Sequence, residues 1–484
     1  MTTTHAPTVV VPAFSQYPEL PPAMRGGLRG AMRCFGPGAI VAAVSIGSGE
    51  TLFASRSGAL FGYGLIWFIV ICVACKLVQV YGGARYMVLA GEHPMQAWAR
   101  LPGPRAWFPV ILGVLSVLCF PFWMGGLAKI LGTAANWIIG IHPTDPRQEV
   151  YAALFGTGTL VLVVGLTLWQ SYAVLEKAQT IIVAVLLASI LAAVAAAPVD
   201  WAAALRGAFT IGGLAYPDWV RTEYPKVWAE PVILTLVTFM GAIGGGTQDY
   251  IGYLGFFREK SWGALGWPAG RDGGPRVDPS PANVAVGRRW LRAPIIDVFT
   301  GFVCVLLFTL VFNLLGAAIL HPDHKVPEKF ALLSHQVEFL ARLGLVFAVL
   351  YKLGIITAFW ANIYGAQEVY SRTAYECLLA VWPSARQVPF ARVRLATCLY
   401  SGLGGIALMW TVAEPVSIVK PAAVVGTLTC GLWCFATIWA DRRFLPAGLR
   451  MNGAWVVLNV LAGGTLVVFG GRAVLDYLKT AGAG

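Results

Sequence analysis

About eleven apolar runs divide the chain, at 34–61, 64–88, 106–138, 150–169, 173–197, 231–256, 293–320, 342–371, 390–412, 415–440 and 453–475. Runs of about twenty apolar residues are what a helix needs to cross the roughly 30 Å hydrocarbon core of a bilayer. Only 12% of the 484 residues are charged and 57% are hydrophobic, against about 25% charged in soluble domains. In lipid the backbone must satisfy its own hydrogen bonds, and helices do so within one segment. The expectation is an all-α polytopic membrane protein of about eleven transmembrane helices.

Two of the runs are interrupted. The first carries Gly47-Ser48-Gly49-Glu50 between apolar flanks, and the sixth carries Gly244-Gly245-Gly246 followed by Thr247, Gln248 and Asp249. Three consecutive glycines weaken a helix by about 1 kcal/mol each relative to alanine. Non-helical backbone at membrane depth is tolerated only against protein or a water-filled cavity, and an ionisable residue there marks a functional site. Glycines that merely let helices approach would explain Gly125-Gly126, Gly404-Gly405 and Gly463-Gly464, since no charge accompanies them. They explain the two carboxylate-bearing breaks poorly. Interrupted segments at corresponding places in two halves point to a transporter's midplane site, with runs 1–5 and 6–10 as inverted repeats and run 11 appended.

The charges orient the chain. One set of loops holds Arg25, Arg29, Arg33, Arg85, Arg100 and Arg105, then Arg258, Lys260, Arg271, Arg276, Arg288, Arg289 and Arg292, then Arg372, Arg386, Arg392, Arg394, Arg442, Arg443 and Arg450. The other set holds Arg147, Arg206, Arg221, Lys226, Lys325 and Lys329. The positive-inside rule then makes the N-terminus cytoplasmic and the C-terminus external, in a multi-pass inner (plasma) membrane protein. The net charge of +12 is accounted for by this topology, and no nucleic-acid partner is expected. No basic and apolar leader of a cleavable signal peptide is expected either. The nine cysteines read as inert buried thiols, including Cys72/Cys75 and Cys430/Cys434. None of the six histidines lies in an apolar run, so an intramembrane histidine metal site, a cofactor or an enzymatic acid–base pair is not expected.

The expected organisation is a cytoplasmic tail at 1–33, a first repeat at 34–197 and an external loop at 198–230 whose aromatics lie at the interface. A second repeat follows at 231–440, with a flexible Gly/Pro-rich cytoplasmic loop inside 257–292, and then helix 11 and the C-terminus at 441–484. Residues 1–24 read as disordered.

Gly36-Pro37-Gly38, the interrupted run, Gly58 and Phe61-Gly62-Tyr63 together resemble the first helix of the Nramp family of proton-coupled divalent metal transporters. The resemblance extends to the eleven helices, the break in helix 6 and Gly365-Ala366-Gln367 at the end of helix 8. It implies a LeuT-like 5+5 inverted repeat. The family's Asp-Pro-Gly-Asn falls on Gly47, Ser48, Gly49 and Glu50, and its Met-Pro-His falls on Gln248, Asp249 and Tyr250. The thioether ligand and the histidine linked to proton movement are therefore absent. The acidic residue of the second half of helix 1 falls on Ala54, with Arg56 two residues on.

The candidate site is then Gly47, Ser48 and Glu50 from the first break with Gly245, Thr247, Gln248 and Asp249 from the second. Freed carbonyls at Gly47 and Gly244–Gly246 would join them. Oxygen donors suit Mg²⁺, Ca²⁺ or Mn²⁺, so Glu50, Gln248 and Asp249 would hold a hard divalent ion, and Glu50 or Asp249 could carry a coupled proton. Intramembrane cations argue the other way: Lys76, Lys129, Lys352 and Arg56. Lys129 reads as snorkelling to the interface. Lys352, beside helix 1 in such a fold, could neutralise Glu50 or stand in for a coupling ion, which would suit an organic solute such as an amino acid. The first expectation is a metal-ion secondary transporter working by alternating access. The second keeps the fold and changes the substrate. Oligomeric state is not legible.

Overall fold

The first run contributes two described helices, α1 (Pro37–Ser45) and α2 (Ser55–Phe61), and residues 46–50 between them lie outside the described residues. The computed structural model describes residues 15–45, 51, 53–141, 145–169, 177, 180–181, 184–185, 187–188, 191–195, 197–212, 214–267, 276–327, 345–412 and 415–481, with the backbone alone at 345–355, 383, 415, 480 and 481. Gly47, Ser48 and Glu50 therefore lie outside the described residues, as does most of the fifth run.

The other runs emerge near their expected limits: α3 (Ile66–Ala90), α4 (Trp107–Ile138) and α5 (Gln148–Trp169). The sixth run is split into α6 (Val232–Ala242) and α7 (Thr247–Gly255). Then follow α8 (Arg292–Leu315), α9 (Leu345–Val381), α10 (Phe390–Thr411), α11 (Pro415–Phe444) and α12 (Gly453–Ala481). Seven helical stretches among the described residues are long and apolar enough to cross a membrane. The outer ones leave large apolar side chains uncovered: Val161 on α5, Leu403 on α10 and Val468 on α12 are each more than 60% exposed. In water such surfaces would aggregate; around a bundle they face acyl chains.

The broken helices occupy the interior. α1 packs on α7, α8 and α9, while α6 packs on α11. α2 crosses the end of α8 at Gly58 and Gly316, where an added Cβ would run into the Asn313 and Ser55 carbonyls respectively. Small residues permit that approach, and Asn313 Nδ2 donates to Ser57 Oγ across it at 2.8 Å. At the other end of α8, Asp297 accepts from the Gly36 and Gly38 amides at 2.8 and 3.0 Å and from Tyr253 Oη at 2.6 Å. Asp297 and Asn313 thus serve packing.

Two connecting segments carry structure of their own. The stretch 198–230 is built of short helices that cap the ends of α2 and α3. There Trp67 Nε1 donates to Gly212 O at 3.1 Å, and buried Tyr216 stacks on Phe61. The Gly/Pro-rich part of the cytoplasmic loop expected to be flexible lies outside the described residues at 268–275; the chain after it is helical at Pro281–Trp290, and residues 15–24, expected to be disordered, dock there. Ser15 N donates to Arg276 O, Tyr17 N to Asn283 Oδ1 at 2.7 Å, and Tyr17 Oη to Leu89 O at 2.6 Å. Burial of Tyr17 and Leu20 supplies the apolar anchor that the polar composition of the tail conceals.

Candidate functional site

The gap between α6 and α7 exists because of local backbone chemistry. Ile243 is extended, and Gly244 and Gly245 sit at φ +77° and +88°. Side-chain-bearing residues adopt such angles at a cost, and glycine does so freely. The last carbonyls of α6 therefore lose their helical partners, and each must find another.

They find them inside the protein. Lys76, fully buried on α3, donates from Nζ to Ile243 O and to Gly245 O at 2.5 Å, with Gly241 O at 3.5 Å. Tyr250 Oη donates to Gly244 O at 2.6 Å. Gly246 O accepts from the Asp249 and Tyr250 amides in the first turn of α7. The carbonyls of Gly244–Gly246, expected to be free for a ligand, are thus engaged: the cation that reaches them is Lys76. An ammonium has three donors and no acceptor, and a helix C-terminus carries negative potential, so charge and geometry match.

The candidate side chains of α7 diverge. Asp249 Oδ2 accepts from Gly246 N at 2.7 Å and Gln248 Nε2 at 3.0 Å, capping the start of α7. Thr247 turns toward α11, sharing a 2.7 Å hydrogen bond with Thr429 Oγ1 and lying 3.4 Å from Cys430 Sγ. The Gln248 backbone carbonyl accepts from Thr373 Oγ1 at 2.5 Å. Of the set, Gly245 and Asp249 line a small cavity with Ala242, Val44, Ser45, Trp123, Leu127, Asn362 and Tyr370. Its volume of about 10 Å³ is room for about one water. It lies where the end of α1 meets the break, and Asn362 Nδ2 on α9 donates there to Val44 O. Asn362 is a cavity residue that an amide at depth in an apolar run signals.

Two of the remaining intramembrane cations are held elsewhere. Arg56, buried on α2, donates from Nη1 to Pro327 O at 2.9 Å. Lys129 does not snorkel: it is 3% exposed and donates to Met409 O near the end of α10. Lys352 belongs to α9, and its side chain lies outside the described residues. Among the described residues no group of three His, Cys, Asp or Glu side chains assembles. The described half of the site thus offers one carboxylate, one amide and backbone oxygen, facing α1.

Beyond α7 the chain is held by ion pairs. Arg258 binds Glu376 through two hydrogen bonds of 2.6 and 3.0 Å, Arg372 reaches Glu259 at 3.0 Å, and Arg394 approaches Glu368 at 3.7 Å. These tie the segment that follows α7 to α9, and α9 to α10.

The Nramp family model, described as natural resistance-associated macrophage protein-like, matches residues 38–367. The crystal structure of an Eremococcus coleocola manganese transporter, bound to an aromatic bis-isothiourea substituted compound, superimposes with a TM-score of 0.67 at 15% identity, over 96% of this chain and 94% of that one. A mutant of the same transporter gives 0.68 at 16% identity over the same shares. No curated protein matches the chain. At that identity the superposition establishes architecture, a LeuT-like bundle, in which helix 6 is interrupted. The family match covers most of the sequence, and with it the chain belongs to the Nramp family, a family of membrane transporters and not of enzymes.

Proposed function

We propose that the protein is a secondary-active transporter that moves a divalent metal cation by alternating access through the cavity between α1 and the α6–α7 break. The observation that carries this reading is the position of Asp249, an acidic side chain lining that cavity with Asn362 and the Gly245 backbone. Carboxylate and amide oxygen select hard, partly hydrated ions, so Mg²⁺ or Mn²⁺ is favoured over softer metals. The similar Eremococcus coleocola protein is a manganese transporter, which supports the same substrate class. Glu50 of the first break, with Gly47 and Ser48, is proposed to complete the site, and Glu50 or Asp249 to carry a coupled proton. We assign the N-terminus to the cytoplasm and the C-terminus to the outside of the plasma membrane on the Lys/Arg distribution. Residues 34–197 and 231–440 are proposed as the two repeats that move against each other.

One observation favours a second reading. The buried ammonium of Lys76 on the Gly245 carbonyl raises the cost of a dication beside it and suits the carboxylate of an organic solute such as an amino acid. Calorimetry on the purified protein separates the two: Mg²⁺ and Mn²⁺ give binding heat under the first, amino acids under the second. Folded protein that shows no heat with any metal ends the metal assignment.

A further inference from the structure

The three carbonyls that Lys76 meets are arranged as a cation site. Gly241, Ile243 and Gly245 direct their oxygens at one point from the end of α6, where unpartnered helix carbonyls concentrate negative potential. The lysine stem arrives from α3, packed on α6's terminus so closely that a Cβ on Gly244 would lie 3.5 Å from its Cδ. Lys76 is fully buried, and among the described residues it forms no ion pair with a carboxylate. Its charge is met by backbone oxygen. An isolated buried ammonium is costly, and broken helix ends without partners are equally so; here each offsets the other.

We propose that the α6–α7 break is a monovalent-cation site whose occupant is built into the chain: the Lys76 ammonium is the resident cation, held in place of an exchangeable alkali or ammonium ion. The break is thereby kept open without a free ion, and the stability of this region is independent of which monovalent cation surrounds the protein. Removing the side chain converts the cradle into an exchangeable site for a small monocation. This goes beyond the transport reading and does not depend on the substrate, since it is tested by stability and not by uptake.

The experiment is thermal unfolding of the full-length protein in detergent, at constant ionic strength, in chloride salts of methylammonium, K⁺, Na⁺ or bulky tetramethylammonium. Wild type is expected to give one Tm in all four. Lys76→Ala is expected to melt several degrees lower in tetramethylammonium and to regain most of that loss, saturably, in methylammonium or an alkali ion, as for a ligand that binds only the native state. Lys76→Met keeps the stem and fills the space, so it is expected to melt lower without rescue. A Lys76→Ala protein whose Tm ignores the cation overturns the proposal, as does a wild type that responds as strongly as the variant. Should Lys76→Ala not fold in any salt, amine labelling of the wild type decides: acylation of Lys76 by a membrane-permeant ester at least 100-fold slower than that of exposed Lys226 supports a permanently seated ammonium, and comparable rates overturn it.

Discussion

Asp249 does two things with one carboxylate. Oδ2 accepts from the amide of Gly246, the residue that caps α7, and the same group presents charge to the cavity. Asparagine preserves an oxygen acceptor and removes the charge, so the two roles separate. Asp249→Asn is expected to shift Tm by only a few degrees, because an N-terminal helix cap is worth about 1 kcal/mol. Uptake into proteoliposomes is expected to fall tenfold or more, since a hydrogen bond to a charged group is worth about 1.5–3 kcal/mol and 1.4 kcal/mol is a factor of ten. Equal uptake by the variant would remove Asp249 from the transport site. The residue scale also shows why neighbours in sequence part company. Thr247, Gln248 and Asp249 are consecutive, and a helix turns about 100° per residue, so only one of the three can face the cavity squarely. Thr247 is directed to α11 for that reason.

At the scale of elements, the α6–α7 break is written in backbone angles. Gly245 at φ +88° lies where a Cβ is strained, and that Cβ would come 3.1 Å from Asp249 Oδ2. Gly245→Ala is expected to lower stability by about 1–2 kcal/mol, the cost of forcing an L-residue into a left-handed conformation, and to impair uptake by displacing Asp249. Gly158 on α5 is the control: a Cβ there meets nothing within 4 Å, and Gly158→Ala is expected to be neutral or slightly stabilising, since alanine favours helix by about 1 kcal/mol. Thermal melts of the pair check both; a loss at Gly158 as large as that at Gly245 would make backbone strain at the break an inadequate explanation.

For the whole molecule, the decisive contacts join distant parts of the chain at the N-terminal face. Arg85 on α3 pairs with Asp441 on α11, and both are buried; Asp441 also accepts the Met451 amide at 2.8 Å. Asp441→Ala leaves an uncompensated buried guanidinium, which is expected to cost about 3–5 kcal/mol, read as a marked fall in Tm. A Tm within a degree of wild type would mean that Arg85 is satisfied without its carboxylate. Tyr17 pins the N-terminal segment to the same face, and burial raises its phenol well above the usual range, so it stays a neutral donor to Leu89 O. Tyr17→Ala is expected to release residues 15–24 and to speed proteolysis within 276–292 several-fold while the bundle stays intact; unchanged cleavage would show the segment is held without its anchor.

Hydropathy and glycine chemistry by themselves determined the bundle, the span limits and the interruption of helix 6, because bilayer thickness and φ preference act on each segment separately. The same signals singled out Asp249 and Gly245, which the cavity contains. Which lysine would meet the break was not legible: Lys129 reads as snorkelling and Lys352 as the partner of helix 1, and only packing decides the azimuth of each helix and the neighbour it faces. Tertiary structure alone put the Lys76 ammonium on the α6 carbonyls, brought Asn362 to Val44, turned Thr247 toward α11 and seated a polar, proline-rich tail on Tyr17. Each of these joins residues far apart in the chain, and their meeting is an outcome of how whole helices fit together.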